Sequence, residues 1–232
     1  MRIFLLITLI NSVLIRCVAA DSMIQPELYK QAFPGFEFNQ KDINTEQPVS
    51  GYQYQTVNGN TIDIHSCKQA SVMDSALIAE FEYFRFQQLL LSCQAMEQYA
   101  RAEKSRASYF PQVFDKQFYE QLPADTAPLL GGADLDQRRG KSFTAYDKDT
   151  RVTIEDPQTA KLLTAGDEIY ITVLARGDFN GDGIEDLLAK SEWYARQAFG
   201  KHADLLILTK TDTSQAVKIN WRLNAINKKS SP

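Results

Sequence analysis

Residues 168–194 read EIYITVLARGDFNGDGIEDLLAKSEWY. The run Glu168 to Arg176 is rich in the β-branched and aromatic side chains that suit a pleated strand, and Asp186 to Tyr194 also reads as a strand, ending on Trp193-Tyr194. Between them Gly, Asp and Asn crowd together. These residues either tolerate positive φ or hydrogen-bond their own backbone, so the chain turns sharply. Two strands joined by so short a loop run antiparallel. Further strands are expected near Arg151 to Ile154, Asp204 to Thr211 and Ala216 to Leu223. Their connections are too short for crossover helices, and the second half of the chain reads as an antiparallel β-meander.

The loop also has a chemical pattern. Asp178, Asn180, Asp182 and Asp186 place oxygen side chains at its first, third, fifth and ninth positions. Calcium is a hard cation that takes six to eight oxygens at about 2.3–2.6 Å, and short acids on alternate positions of a tight loop can converge on it. Gly183 permits the sharp turn, and the backbone carbonyl of Ile184 completes the ring. No sulfur or imidazole stands nearby to favour zinc or copper. An EF-hand needs a bidentate acid at the twelfth position, where this chain has Ala189 on a strand. Instead, Gly177-Asp178-Phe179-Asn180-Gly181-Asp182-Gly183-Ile184-Glu185-Asp186-Leu187-Leu188 closely resembles the FG-GAP/VCBS-type repeat, in which a nine-residue calcium loop joins two antiparallel strands. The resemblance implies calcium as the cofactor, with Asp178, Asn180, Asp182 and Asp186 as side-chain ligands and Ile184 ligating through its carbonyl. Repeats of this kind usually recur as propeller blades, but no second copy is found. Asp147-Lys148-Asp149 lacks a following Asp-Gly, and Gly132-Ala133-Asp134-Leu135-Asp136 breaks the spacing. One loop on a small β-meander is therefore expected.

Before the meander the pattern differs. Tyr52 to Val57 and Thr61 to His65 alternate around Asn58-Gly59, which predicts a hairpin closed by a type I′ turn. A long helix follows: no Gly or Pro occurs from Ser75 to Ala102, and Ser71 and Asp74 have capping-box spacing. Leu77, Ile78, Phe81 and Phe84, then Phe86, Leu89, Leu90, Cys93, Met96 and Ala100, recur at three-and-four spacing as one buried stripe. A shorter helix is expected around Phe114 to Leu122. The lead-in Asp21 to Ser50, with Pro26, Pro34 and Pro48, shows no sustained period and reads as extended or loosely packed chain. The Gly-rich stretch Leu130 to Lys141 marks a boundary, and Arg138-Arg139-Gly140-Lys141 within it reads as a solvated loop. The expected fold is α+β: a mixed hairpin and long-helix region over 21–130, then the antiparallel β-meander with its calcium loop over 141–232.

Residues 1–20 have the order of a cleavable signal peptide: basic Arg2, an apolar run from Ile3 to Ile15 interrupted by Asn11 and Ser12, and the small-residue site Val18-Ala19-Ala20 before Asp21. The run falls short of the roughly 20 apolar residues a spanning helix needs, so no stable membrane span is expected after cleavage. Arg16 precedes Cys17 where lipoproteins have a small residue, which argues against lipidation. Cys67 and Cys93 remain, an even number in an oxidising compartment, and are expected to pair, clamping the end of the hairpin onto the middle of the helix.

The formal net charge is −4, and the leader holds Arg2 and Arg16 but no acid, so the rest carries −6. A mildly acidic chain without a basic stripe is not suited to neutralising phosphates, which speaks against nucleic acid as a partner. His65 stands near Asp63 and Cys67, but disulfide pairing takes that thiol away from Cys/His chemistry. His202 reads as an exposed loop residue before a strand. No Gly-x-Ser-x-Gly elbow, His-Glu-x-x-His helix or phosphate-cradling loop occurs. Tyr83, Phe84, Phe86 and Tyr99 read as core, while Trp193, Tyr194 and Phe199 suit either strand packing or a recognition patch. The expectation is an exported calcium-binding protein, periplasmic or secreted, that binds or scaffolds a protein or glycan ligand rather than catalysing a reaction. The rival reading is a periplasmic hydrolase with structural calcium and a carboxylate pair elsewhere.

Overall fold

The computed structural model describes residues 23–38, 47–128 and 136–223. The leader and its cleavage site before Asp21, the Gly131-Gly132 pair and the tail from Asn227 lie outside them. In chain order the elements are β1 (Glu27–Leu28), the hairpin β2 (Pro48–Gln55) and β3 (Thr61–Ser66), the helices α1 (Cys67–Val72), α2 (Glu80–Ala100), α3 (Lys116–Gln121) and α4 (Phe143–Tyr146), and six strands. These strands are β4 (Arg151–Asp156), β5 (Thr159–Leu163), β6 (Asp167–Gly177), β7 (Asp186–Ala195), β8 (Lys201–Thr209) and β9 (Lys218–Arg222).

β4 to β9 pair in sequence order and every neighbour is antiparallel, the meander that the two-residue period predicts. Strand β5 was not among the expected ones. Only Ala160 and Leu162 of it point inward, too few positions to show an alternation. Strand β1 continues the edge that β5 leaves: β5 pairs with Glu168 to Thr172, and β1 with Ala175 and Arg176. Strand β8 starts earlier than expected, so His202 lies within it, opposite Trp193, rather than in a loop.

Each face of this sheet carries a buried apolar cluster. Leu205 and Ile207 join one cluster and Leu206 and Leu208 the other, so four successive apolar residues are all buried. On one face α2 and the β2–β3 hairpin pack Tyr54, Phe86, Leu89 and Met96 onto Leu188 and Leu205. On the other, Phe110, Phe118, Tyr119, Leu122 and Phe143 pack onto Ile169, Ile171 and Leu187. A bulge in β6 between Val173 and Ala175 breaks the strict alternation, placing Val173 in one cluster and Leu174 and Ala175 in the other. Both clusters draw residues from each side of the 131–140 boundary. The lead-in, expected to pack loosely, contributes the buried Phe33 and Phe36.

Three local expectations are corrected. The hairpin turn is not type I′, because only Gly59 has positive φ. Gly59 N–H donates to Thr56 O and Thr56 N–H to Asn60 O, a three-residue loop with glycine at its left-handed position. The Ser71/Asp74 pair does not cap the long helix. Asp74 caps a short 3-10 turn through the Ala76 amide, Ile78 is extended, and α2 begins at Glu80. Its buried stripe accordingly starts at Phe86, while Leu77 and Phe81 are exposed. Finally, Arg138 is buried rather than solvated. It donates to Asp167 Oδ2 at 2.7 Å, its guanidinium lies over the Tyr146 ring, and Trp193 Nε1 donates to Asp167 Oδ1 at 2.7 Å.

Cys67 and Cys93 are joined, with Cα atoms 5.4 Å apart. Cys67 opens α1, whose amide at Gln69 is capped by Ser66, and Cys93 lies on the buried side of α2. The bridge thus ties the end of the hairpin to the middle of the helix, and closing a loop of this length stabilises by about 3 kcal/mol.

Candidate metal centre

The loop 178–186 connects β6 to β7, which end as the register pair Gly177 and Asp186. Its turns are made by its own side chains. Asp178 Oδ1 accepts the Gly181 amide at 2.7 Å and Asp178 Oδ2 the Gly183 amide at 2.6 Å. Asn180 Oδ1 accepts from Asp182 N at 2.9 Å, and Asp182 Oδ1 from Ile184 N at 2.7 Å. These turns explain why short acids and an amide occupy alternate positions, since each accepts amides two to five residues ahead and bends the chain over them. Gly183 has φ +81°, and a Cβ there would stand 2.5 Å from the Arg106 guanidinium, so both conformation and space call for glycine.

Asp186 is the innermost group. It is fully buried, and its Oδ2 accepts the Phe179 amide at 3.2 Å. Its Oδ1, also buried, has no hydrogen-bond partner among the described residues. Burial first, with the negative charges of Asp182 and Asp178 adding to it, pushes the Asp186 carboxyl up to about 6. The Phe179 amide and the nearby Thr209 hydroxyl work against the rise, although Thr209 does not reach hydrogen-bond geometry.

A segment from the other half of the chain, residues 103–108, straps the loop in place. Glu103 and Asp178 exchange backbone hydrogen bonds at 2.8 and 3.1 Å. Arg106 N–H donates to Gly183 O at 2.7 Å and Glu185 N–H to Ala107 O at 2.8 Å, which is the parallel bridge between Ala107 and Ile184. The strap is itself paired with Ile24 through Ser105. Behind the loop, Arg176 and Glu185 form a buried ion pair at 2.9 Å, with the Ser108 hydroxyl donating to Glu185 Oε2 at 2.6 Å and the Arg176 guanidinium over Phe114.

Among the described residues no group of three or more His, Cys, Asp or Glu side chains is drawn together closely enough to hold an ion as it stands. The donor set nevertheless fits a hard cation. Each carboxylate has about four lone-pair sites, so an oxygen that accepts one amide can still face a cation, and Asp186 Oδ1 has no hydrogen-bond partner among the described residues. Asp178, Asn180, Asp182, Ile184 and Asp186 thus lie on one strapped loop. The residues that position it, Arg106, Ser108, Arg176 and Glu185, were not singled out in the sequence. Arg106 and Ser108 lie more than seventy residues away along the chain, and no local pattern marks a charged residue for burial.

Of the other residues considered, Trp193 is buried, Phe199 is fully exposed and Tyr194 is half-buried. His65 sits on β3, where its backbone amide is bonded by Gln69. No described helix is long and apolar enough to cross a membrane. No family model, curated protein or solved structure matches the chain.

Proposed function

We propose that the chain is an exported calcium-binding module that holds a ligand or scaffolds a partner in the periplasm or outside the cell. The observation that carries this is Asp186 Oδ1, a buried carboxylate oxygen with no hydrogen-bond partner among the described residues, at the base of a loop that carries two further acids, Asp178 and Asp182. A buried, incompletely bonded carboxylate is costly, and a divalent cation beside it would remove that cost. Asp178, Asn180, Asp182 and Asp186 would hold the ion through side-chain oxygens and Ile184 through its carbonyl. When bound, the ion supplies charge compensation and a cross-link between the ends of β6 and β7. An all-oxygen set favours calcium over zinc or copper. Export is read from the leader order in residues 1–20, and the Cys67–Cys93 bridge supports it, because such bridges persist in oxidising compartments.

The test is thermal melting of the mature protein in calcium and in chelator. Chelation is expected to lower the Tm reversibly, by an amount that corresponds to about 2.7 kcal/mol when free ion is about a hundredfold above its Kd. Asp182→Ala is expected to erase the difference, and magnesium to substitute poorly because it demands a tighter octahedron. Identical curves for the native protein up to millimolar calcium would refute the site.

A further inference from the structure

The face of the sheet beneath α2 is covered over only part of its length. Leu174, Leu188 and Leu205 lie under the helix. Farther along the same face, at the end of the β6–β7 hairpin opposite the metal loop, Glu168, Tyr170 and Thr172 of β6, Glu192 and Tyr194 of β7 and Thr159 of β5 surround a concavity of about 350 Å³. The register makes a checkerboard: Glu168 faces Tyr194, Tyr170 faces Glu192, and Thr172 faces Thr159. The two tyrosine rings stand edge to face at 5.9 Å. Phe84 of α2 meets Tyr194 at 5.8 Å, closing one side. Phe81, one turn earlier on the helix, is 69% exposed and extends the aromatic line outward.

The polar groups are held in place by one another. The Tyr170 hydroxyl donates to Glu168 Oε1 at 2.5 Å and the Tyr194 hydroxyl to Glu192 Oε2 at 2.9 Å, while Lys190 Nζ reaches Glu192 Oε1 at 2.7 Å. The Thr159 and Thr172 hydroxyls share one hydrogen bond at 3.2 Å. With the phenolic protons given to carboxylates, the phenol oxygens and the second oxygen of Glu168 are left as acceptors. One threonine hydroxyl and the remaining protons of Lys190 are left as donors. The hydrogen bond to Glu168 pushes the Tyr170 hydroxyl up to about 12, and burial raises that of Tyr194, so both stay protonated at neutral pH.

A ligand that suits this niche carries both donors and acceptors and has apolar faces to lay on aromatic rings. Charge is close to balanced around it: Lys190 reaches Glu192, Lys161 stands opposite Tyr170 and reaches Glu155, and Lys201 stands opposite Tyr194 with its ammonium 4.8 Å from the Phe84 ring centre, so neither an anion nor a cation is favoured. A cationic ligand would find Lys190 already at Glu192. We propose that the niche binds a neutral oligosaccharide, with Tyr170 and Tyr194 against the C–H faces of the sugar and Glu168 and Thr172 bonding its hydroxyls. The exposed Phe81 favours an extended chain of sugars over a single ring. The niche does not involve the metal loop, so its failure would leave the calcium reading standing.

The experiment is titration of the mature, disulfide-bonded protein with cellohexaose, maltohexaose, chitohexaose and, separately, spermidine, following the backbone amide NMR spectrum. At least one hexasaccharide is expected to shift amides of β6 and β7 around Tyr170 and Tyr194. Tyr170→Ala and Tyr194→Ala are each expected to weaken that binding about tenfold, as loss of an aromatic anchor does. Glu168→Gln keeps an acceptor for the Tyr170 hydroxyl, and is expected to weaken sugar binding with its melting temperature unchanged, which separates recognition from folding. The proposal is overturned if no hexasaccharide shifts these amides, if only spermidine does, or if all three variants bind the sugar as the native protein does.

Discussion

Arg176 and Glu185 show how much a single pair of residues behind the loop is made to do. Both are almost fully buried, 2.9 Å apart, and each has further partners: Arg176 the Phe114 ring, and Glu185 the Ser108 hydroxyl. The desolvation of such a pair is offset only while both members are present. Arg176→Met is therefore expected to cost about 3–5 kcal/mol, since it strands a buried carboxylate. The double variant Arg176→Met with Glu185→Leu should recover most of that loss. Urea unfolding of the three proteins decides the matter, and a double variant no more stable than the single one would show that packing, not charge, is at stake. Nothing in the composition around Arg176 marked it for this role. Asp178, Asn180 and Gly183, in contrast, were legible, because their work is done on amides two to five residues away.

Among the elements, the strap 103–108 and the loop 178–186 are the least visible partners in the chain, yet they are joined by four backbone hydrogen bonds. The strap follows closely on α2 and has no regular structure of its own, so its order depends on its backbone bonds to Ile24 and to the loop it crosses. If the loop holds calcium, removing the ion should loosen both. Hydrogen exchange of the Arg106 and Glu185 amides, which donate across this junction, is expected to quicken in chelator, whereas amides in the middle of β8 keep their protection. Exchange that is unchanged at Arg106 while calcium demonstrably raises the melting temperature would confine the ion's effect to the loop itself. The helix α2 makes the complementary point. Of its expected stripe Phe86, Leu89, Cys93 and Met96 are buried, whereas Leu90 is half-buried and Ala100 exposed, and its start was not legible, because the backbone at Ile78 and Ala79 is taken up by pairing with the hairpin at Thr56 and Gln55.

At the scale of the molecule, the sheet is a central layer with the hairpin and α2 on one face and α3, α4 and their aromatic neighbours on the other. The disulfide lies wholly within the first of these layers, so reduction should destabilise by about 3 kcal/mol without altering the sheet. Denaturation of oxidised and reduced protein, alongside intact mass and thiol alkylation, checks this. Two alkylatable thiols in unreduced protein would deny the bridge. The order of residues alone sets the turn chemistry of the loop, the two-residue period of the meander, and the parity of Cys67 and Cys93, since each depends on neighbours a few positions apart or on a count. The folded chain sets what depends on distance: that Phe33 and Arg138 go inside, that Ser108 reaches Glu185, and that Glu168, Tyr170, Glu192 and Tyr194 meet around one niche. Burial and ion pairing are made by groups brought together from far along the chain, and no local pattern of residues carries that information.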